Sequence, residues 1–411
     1  MKSNNKKLVL NASKDFIFSV LALVIYNGVL QLLIYPRLET YVGADAFGTV
    51  LYLISAVSIM GAGFGTAGSY SRMVAKKDRT EANGDYNLFL LIITLISIPV
   101  TIGSLIAIHS LDLIQFIWVF VLMAITVARY YSDVEYRMNI KFLDYFLFFT
   151  SVSLGYILGL RLYRYTGNWV ITILTGEVFG IIYTVVRGRI FRAPFTEISS
   201  SFKENMKSLF FISASNLLGA LILHSDRILL RLAVGSREVT IYYTASLVGK
   251  IVAMLTTPLN GVIISYLTNY KIELNKKRFG IIAAAFLVLT VIGAICCTGV
   301  SYLFVQIMYP DVFEETVPYF FVANLGQILY FISGSLMVII MSFSAEKLQL
   351  LINAVYAVAF CVVVIPMTYI LGLPGIAYGL VIVNLVRFGF TMILGMKKLN
   401  KIQKETIGTD N

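Results

Sequence analysis

Apolar stretches of about twenty residues follow one another along almost the whole sequence, with short polar connections between them. A helix needs about 20 apolar residues to cross a bilayer, because each residue adds only about 1.5 Å. Only 13% of the residues are charged, whereas a soluble protein carries roughly 25%. The sequence therefore predicts an all-α integral membrane protein. Its twelve predicted transmembrane helices lie at about 15–35, 47–70, 88–108, 114–131, 144–163, 169–187, 207–232, 241–267, 280–305, 317–343, 348–370 and 374–396.

Basic residues are concentrated in every second connection. Loops on the cytoplasmic side of a membrane protein carry an excess of lysine and arginine, so this alternation predicts that both termini lie in the cytoplasm. It also accounts for the net charge of +11, and we expect no nucleic-acid partner. Arg161 and Arg164, in an outer connection, are the local exception. The inner connections, which hold 25 of the 33 lysines and arginines, are 1–14, 71–87, 129–143, 187–207, 268–279, 344–347 and 397–411.

A weak internal repeat suggests two halves. Residues 36–55 align with residues 228–247, which places Val42-Gly43 on Val234-Gly235. Each Val-Gly pair lies at a turn between an odd and an even span. We therefore predict an N-terminal six-helix bundle at 1–187, a cytoplasmic linker at 188–206 and a C-terminal six-helix bundle at 207–411. An even number of spans per half gives a parallel repeat, as in several transporters.

Two sequence features are known from nucleotide-binding and metal-binding sites of soluble proteins, but here each has a simpler explanation. Gly63 to Gly68 fit G-x-G-x-x-G, but they end a membrane span instead of following a strand. With Gly61 and Gly65 they predict a face where helices pack closely. The cysteines, Cys296, Cys297 and Cys361, lie in apolar runs without a C-x-x-C pair, and we expect no metal or other cofactor. Since no connection exceeds about twenty residues, we also expect no soluble catalytic domain.

Charged residues inside the spans are the candidate functional residues, because a charge at membrane depth is costly. Arg227 and Arg231 are four residues apart and share a helix face. Asp226 points elsewhere and is a candidate for ion coupling. Arg227 lies further into its span, which favours a water-filled cavity. For Arg231, substrate binding and anchoring at the outer interface are equally good interpretations.

Three further polar residues lie deep within predicted spans. Lys250 is about ten residues into the eighth span, and Arg387 is similarly placed in the last, with Asn384 one turn away. We predict that Lys250, Asn384 and Arg387 line a substrate cavity; a structural ion pair is the alternative. Glu177 is the only deep carboxylate of the first half. It is expected either to pair with a cation from the other half or to titrate as an ion-coupling residue.

Several motifs resemble polysaccharide flippases of the Wzx type, in the multidrug/oligosaccharidyl-lipid/polysaccharide exporter superfamily. The resemblance covers the whole chain. The motifs are Pro36-Arg37-Leu38, Val42-Gly43 and Phe47-Gly48 in the first half, and Asp226-Arg227-Ile228-Leu229-Leu230, Tyr242-Tyr243-Thr244-Ala245 and Pro258-Leu259 in the second.

The resemblance implies a V-shaped, MATE-like pair of six-helix bundles that works by alternating access. It implies that an undecaprenyl-pyrophosphate-linked oligosaccharide is moved across the bacterial inner membrane to the outer leaflet for O-antigen, capsule or other surface polysaccharide synthesis. A polysaccharide polymerase is the implied partner. The pyrophosphate would enter a cationic cavity, for which arginine is well suited. The flippase for the peptidoglycan precursor has arginines in its first spans, and this chain has none deep in its first two.

Two other functions remain open. One is a cation-coupled drug or metabolite antiporter of the same superfamily, which is expected to have an acidic cavity. The other is a membrane-embedded polysaccharide polymerase or ligase, which is expected to have a large outer loop with catalytic residues. The deep charges of this chain are mostly basic, and its outer connections are about ten residues at most. Both observations favour the flippase.

Overall fold

The computed structural model describes residues 2–254, 260, 275–341 and 347–409, and all of its regular structure is helical within these ranges. The prediction of an all-α fold is confirmed. The α-helices are α1 Lys2–Gly28, α2 Tyr35–Val42, α3 Ala44–Met60, α4 Thr66–Asp78, α5 Asn83–Ile106, α6 Leu113–Ser132, α7 Val134–Met138, α8 Phe142–Thr166, α9 Trp169–Arg187, α10 Phe202–Ala233, α11 Ser236–Met254, α12 Lys276–Met308, α13 Phe313–Thr316, α14 Phe320–Met341, α15 Lys347–Ala359, α16 Ile365–Leu371 and α17 Leu373–Thr409.

Eleven helical stretches of the described residues are long and apolar enough to cross a membrane, and each overlaps a predicted span. The predicted eighth span, 241–267, begins in α11, but most of its second half lies outside the described residues, as does the Pro258-Leu259 motif. The cytoplasmic location of the termini stays a prediction.

Short π-helical segments interrupt three of the membrane helices, at Val29–Ile34, Gly61–Gly65 and Phe360–Val364. In the second segment the glycines allow α6 to approach closely. A Cβ atom on Gly65 would lie 2.5 Å from the carbonyl oxygen of Val127, and one on Gly61 would lie 2.6 Å from the ring of Tyr130. The close helix packing predicted for Gly61 and Gly65 is therefore confirmed.

The chain divides into two compact units, Met1–Ile228 (unit 1) and Leu229–Asn411 (unit 2), and each is described by itself. The predicted bundles at 1–187 and 207–411 stay a prediction. The two turns of the predicted repeat both lie between helices. Gly43 separates α2 from α3, and Gly235 lies between α10 and α11.

Unit 1 contains a tight antiparallel hairpin of α8 and α9. The turn between them is at Gly167, whose φ of 65° favours glycine, and the Asn168 side chain then caps α9 by accepting a hydrogen bond from the backbone N–H of Val170 at 3.0 Å. A Cβ atom on Gly155 would lie 2.7 Å from the Cα atom of Gly176. The small residues thus let α8 and α9 lie in backbone contact, which places the α9 side chains close to those of α8.

The segment that joins α9 to α10 is held firmly against the α4–α5 turn of unit 1. The carboxylate of Asp85, which is fully buried, accepts hydrogen bonds from the Ser199 backbone N–H at 2.8 Å, the Ser199 hydroxyl at 2.6 Å and the Asn205 amide at 3.1 Å. Asn205 also donates to the Thr80 carbonyl at 2.9 Å. The predicted linker at 188–206 is therefore an ordered part of this unit.

In unit 2, α14 provides hydrogen-bond partners for two neighbouring helices. Asn324 on α14 accepts a hydrogen bond from the backbone N–H of Gly249 on α11 at 2.7 Å and donates one to Ser301 on α12 at 2.9 Å. A Cβ atom on Gly249 would lie 2.7 Å from the Asn324 side chain. An apolar cluster that includes Phe279, Leu336 and Phe388 packs α12, α14 and α17 together.

The Asp85 contacts predict that Asp85→Ala loosens the segment between α9 and α10. Removing the carboxylate takes away the acceptor of two hydrogen bonds from the half-buried Ser199 and one from the buried Asn205, and an unsatisfied buried donor costs about 1–3 kcal/mol. We expect trypsin to cleave this segment faster than in the unchanged protein, as measured by the rate of appearance of the two fragments. Asp112→Ala, which removes the N-cap of α6, is the matched control and should leave the rate unchanged. Equal rates for both variants would contradict the role of Asp85.

The close approach of Gly65 to α6 predicts that Gly65→Ala destabilises unit 1. The added methyl group has no space beside the Val127 carbonyl, and overpacking of this kind costs about 1–3 kcal/mol. A Cβ atom on Gly103 meets nothing within 4 Å, so Gly103→Ala is expected to be neutral or slightly stabilising. Thermal unfolding of the two variants in detergent tests this, and similar melting temperatures would rule out the packing explanation.

Candidate functional site

Glu177 forms a buried ion pair with Arg129 in unit 1. The Arg129 Nε atom donates to Glu177 Oε2 at 2.6 Å, and its Nη2 atom donates to Oε1 at 3.3 Å. Both side chains are almost fully buried, with 4% and 3% exposed. The two-point contact joins α6 to α9 and satisfies both carboxylate oxygens with the planar guanidinium.

Three tyrosines surround this pair, two of them with hydrogen bonds to it. The Tyr156 hydroxyl on α8 donates to Glu177 Oε1 at 2.5 Å, and Arg129 Nη2 also donates to the Tyr26 hydroxyl on α1 at 3.1 Å. The Tyr130 ring lies with its centroid 4.0 Å from the Arg129 guanidinium carbon. Four helices therefore meet at one ion pair, and the aromatic rings add cation–π stabilisation.

This arrangement differs from two sequence-based expectations. Glu177 was expected to pair with a cation from the other half, but its partner Arg129 belongs to the same unit. Arg129 was placed in an inner connection at 129–143, but it lies in the last turn of α6 and is buried. The signal for a longer helix is weak there, because Asp133 and Glu135 follow in the sequence. The ion-coupling role of Glu177 stays a prediction.

Asp226 and Arg227 also lie in unit 1, on α10. Asp226 is buried, with 4% exposed, and its Oδ1 atom accepts a hydrogen bond from the backbone N–H of Arg227 at 2.9 Å. The half-buried Arg227 side chain donates from Nη1 to the hydroxyl of Ser55 on α3 at 3.4 Å. Arg227 is thus directed towards polar atoms inside the helical unit, as expected for a residue that does not face lipid.

Arg387, on α17, is the most enclosed cation of the predicted set, with 5% of its surface exposed. Its guanidinium carbon lies 4.6 Å from the ring centroid of Tyr330 on α14 and 5.2 Å from that of Tyr356 on α15. The Nη1 atom donates to the Tyr330 carbonyl at 3.3 Å. Among the described residues no carboxylate pairs with Arg387, and its buried Nε atom has no hydrogen-bond partner there.

Asn384 lies one turn before Arg387 on α17 and is also directed at α14. Its amide nitrogen donates to the Gly326 carbonyl at 2.9 Å. The Asn384 Oδ1 atom is buried and has no hydrogen-bond partner among the described residues. Two buried polar atoms on neighbouring turns of α17, Asn384 Oδ1 and Arg387 Nε, are thus without a hydrogen-bond partner among the described residues.

Lys250 and Arg231 occupy less enclosed positions in unit 2. Lys250 is half-buried on α11, directly after the Gly249 contact with Asn324 on α14. Arg231 is half-buried in the last turn of α10, and its Nε atom has no hydrogen-bond partner within the described ranges. The substrate-binding roles of Arg227, Lys250, Asn384 and Arg387 stay predictions, as do the two interpretations of Arg231.

The buried pair predicts different outcomes for single and double substitutions. Glu177→Leu leaves the Arg129 charge buried without its carboxylate, which typically costs about 3–5 kcal/mol, whereas replacing both members of a buried pair is often neutral. We expect Glu177→Leu to unfold at a lower temperature and the double variant Arg129→Leu/Glu177→Leu to recover most of the loss. The exposed pair of Arg237 and Glu315 is the control, for which Glu315→Leu should cost about 1 kcal/mol at most. No recovery in the double variant would contradict the pairing.

No family model matches the sequence, and no curated protein matches it. Solved structures do match over nearly the whole chain. One is an inward-facing multidrug resistance MATE family transporter of the MOP superfamily, with a TM-score of 0.67 at 15% identity, covering 94% of this chain and 99% of that one. The outward-facing conformation of such a transporter matches with a TM-score of 0.56 at 16% identity, covering 97% of both chains.

A further match is a MOP superfamily transporter from Pyrococcus furiosus. It is described as having a binding pocket of reversed polarity that suggests a different function. Its TM-score is 0.58 at 17% identity, and the match covers 97% of this chain and 96% of that one. The chain therefore has the fold of the MATE family transporters of the MOP superfamily.

Proposed function

We propose that this protein is a flippase that moves an undecaprenyl-pyrophosphate-linked oligosaccharide from the cytoplasmic to the outer leaflet of the bacterial inner membrane. It works by alternating access and serves the synthesis of O-antigen, capsule or another surface polysaccharide. A polysaccharide polymerase is its partner on the outer side. The structural neighbours are transporters, which favours transport over the alternative of a membrane-embedded polymerase or ligase.

The enclosure of Arg387 is the observation that carries this proposal. A buried guanidinium needs compensation for the water that it loses. Two tyrosine rings and one carbonyl group supply part of it, and no carboxylate among the described residues supplies the rest. A diphosphate would provide negative charge in a geometry that a guanidinium can bind with two parallel hydrogen bonds.

The amide of Asn384 and the amine of Lys250 extend the proposed binding residues. Asn384 Oδ1 is a buried acceptor one turn from Arg387, and a sugar hydroxyl can donate to it. Lys250 adds a second positive charge on α11. Arg227 and Arg231 would add charge along α10. This set favours an anionic head group joined to a carbohydrate over a simple apolar cation.

The second candidate function is a cation-coupled drug or metabolite antiporter. The structural neighbours favour it, because they include multidrug resistance transporters. A cation carrier needs a carboxylate that exchanges its counter-ion, and the two candidates predicted from the sequence, Glu177 and Asp226, are both buried. Glu177, however, is held by Arg129 and Tyr156, so release of a cation from Glu177 would require the ion pair to open. The neighbour with reversed pocket polarity suggests that this fold accommodates cargoes of different charge.

The flippase proposal predicts that Arg387→Ala lowers the initial rate of flipping at least about tenfold, because a hydrogen bond to a charged group contributes about 1.5–3 kcal/mol. Arg387→Lys keeps the charge but loses the planar stacking between the tyrosines, and should retain an intermediate rate. Lys250→Ala should also lower the rate. The measurement is translocation of a fluorescent undecaprenyl-pyrophosphate-linked sugar in proteoliposomes, supported by complementation of a flippase-deficient strain.

Arg237→Ala is the matched control for this experiment, since it removes an exposed arginine from the same unit. It should flip at the unchanged rate. Thermal unfolding of every variant separates loss of function from loss of fold. Full activity of both Arg387→Ala and Lys250→Ala would refute the proposed binding residues. Ethidium efflux by the unchanged protein, without lipid flipping, would instead establish the antiporter.

A further inference from the structure

Residues 187–198, at the end of α9 and in the segment that follows it, have a backbone that is hydrogen-bonded to α5 and side chains that are mostly exposed. We call these residues the interfacial segment. The Asn83 amide donates to the carbonyls of Arg189 at 3.2 Å and Arg192 at 2.9 Å, and the Asn87 amide donates to the carbonyl of Phe195 at 3.0 Å. The N-terminal part of α5 thus binds one side of the segment through every third residue.

Five large side chains of the interfacial segment are exposed. Arg187, Arg189 and Arg192 are exposed. Phe195 and Ile198 are also exposed, by 57% and 58%. Three guanidinium groups and two large apolar groups are therefore exposed on a segment whose backbone carbonyls are hydrogen-bonded to Asn83 and Asn87. Apolar exposure next to concentrated positive charge is unusual on a surface that faces only water.

The position of the interfacial segment relates it to the bilayer. It lies between the last residue of α9, Arg187, and the first residue of α10, Phe202, and both helices are long and apolar enough to cross a membrane. The segment is therefore located where the two helices leave the hydrocarbon region. Lys203 and Lys207, both exposed in the first turns of α10, extend the positive charge along the same end.

Acidic residues reduce this positive charge only in part. Glu197 and Glu204 are exposed nearby. The three arginines of the segment and the two lysines of α10 outnumber these two carboxylates. The surface therefore stays basic, and it combines this charge with two apolar side chains.

We propose that the interfacial segment binds anionic phospholipid head groups at the membrane surface. Arg189 and Arg192 bind the lipid phosphates, and Phe195 and Ile198 enter the boundary between head groups and acyl chains. A basic group near an anionic surface contributes about 1 kcal/mol, and apolar insertion supplies the second signal that stable interfacial binding requires. A free phosphate ion would use the arginines but would leave the two apolar side chains in water.

This inference goes beyond the proposed transport function and does not depend on the cargo. Because the backbone of the segment is bound to α5 through Asn83 and Asn87, the bound lipid would hold this end of unit 1 at a fixed depth. The interfacial segment belongs to unit 1, whereas Arg387 and Lys250 belong to unit 2.

The test uses the full-length protein in lipid nanodiscs with Phe195→Trp as a reporter. Brominated phosphatidylglycerol and brominated phosphatidylcholine are compared as quenchers at the same mole fraction. The native Trp118 and Trp169 lie near the starts of α6 and α9, at the other end of unit 1, and their quenching is measured in the protein without the substitution and subtracted. We expect the anionic lipid to quench the new tryptophan several-fold more strongly.

Arg189→Gln/Arg192→Gln in the same background should remove most of this preference, because the lipid phosphates lose the two guanidinium groups that bind them. The matched control Arg161→Gln/Arg164→Gln removes the same charge from the exposed end of α8 and should keep the preference. Equal quenching by both lipids, an equal loss in the control, or abolition of the preference by millimolar inorganic phosphate at constant ionic strength would each overturn the proposal.

Discussion

The buried ion pair of Arg129 and Glu177 is the interaction on which the interior of unit 1 depends. It brings α6 and α9 together directly, and the hydroxyls of Tyr156 and Tyr26 connect α8 and α1 to the same charges. In an apolar surrounding each charge is tolerated only while the other is present. The pair therefore favours the packing register that keeps Arg129 in contact with Glu177, and the close α8–α9 contact at Gly155 and Gly176 lies in the same unit.

The sequence predicted most of the fold because the bilayer demands long apolar helices. The predicted span 114–131 shows the limit of hydropathy as a signal. The helix continues into α7, but Arg129 and the charges after it look like a loop, since hydropathy cannot distinguish a paired buried charge from an exposed one. Glu177 was recognised because it is isolated in an apolar stretch. Its partner was not, because pairing depends on the packing of α6 against α9.

In unit 2, the sequence indicated the depth of Arg387 but not its surroundings. Tyr330, Tyr356 and the carbonyl of Gly326 belong to helices that are distant in sequence from α17. Their contacts with Asn384 and Arg387 result from helix packing, which a one-dimensional pattern does not encode. The π-helical segments escaped prediction for the same reason: Gly61–Gly65 has a recognisable small-residue pattern, but the extra residue in its turn is an adjustment to α6.

The buried Arg129 of unit 1 is paired with a carboxylate and the buried Arg387 of unit 2 is not, among the described residues, and this difference bears on the proposed cargo. The Arg129 guanidinium is neutralised by a carboxylate within hydrogen-bond distance, so an ionic ligand would gain little from it without breaking a strong pair. Arg387 contacts two aromatic rings and a carbonyl group. None of these groups carries a negative charge that would neutralise the guanidinium. Aromatic rings lower the cost of burying a guanidinium without cancelling its field. A transporter that must attract an anion and later release it benefits from such a cation, because the ligand competes with weak dipoles and not with a resident carboxylate.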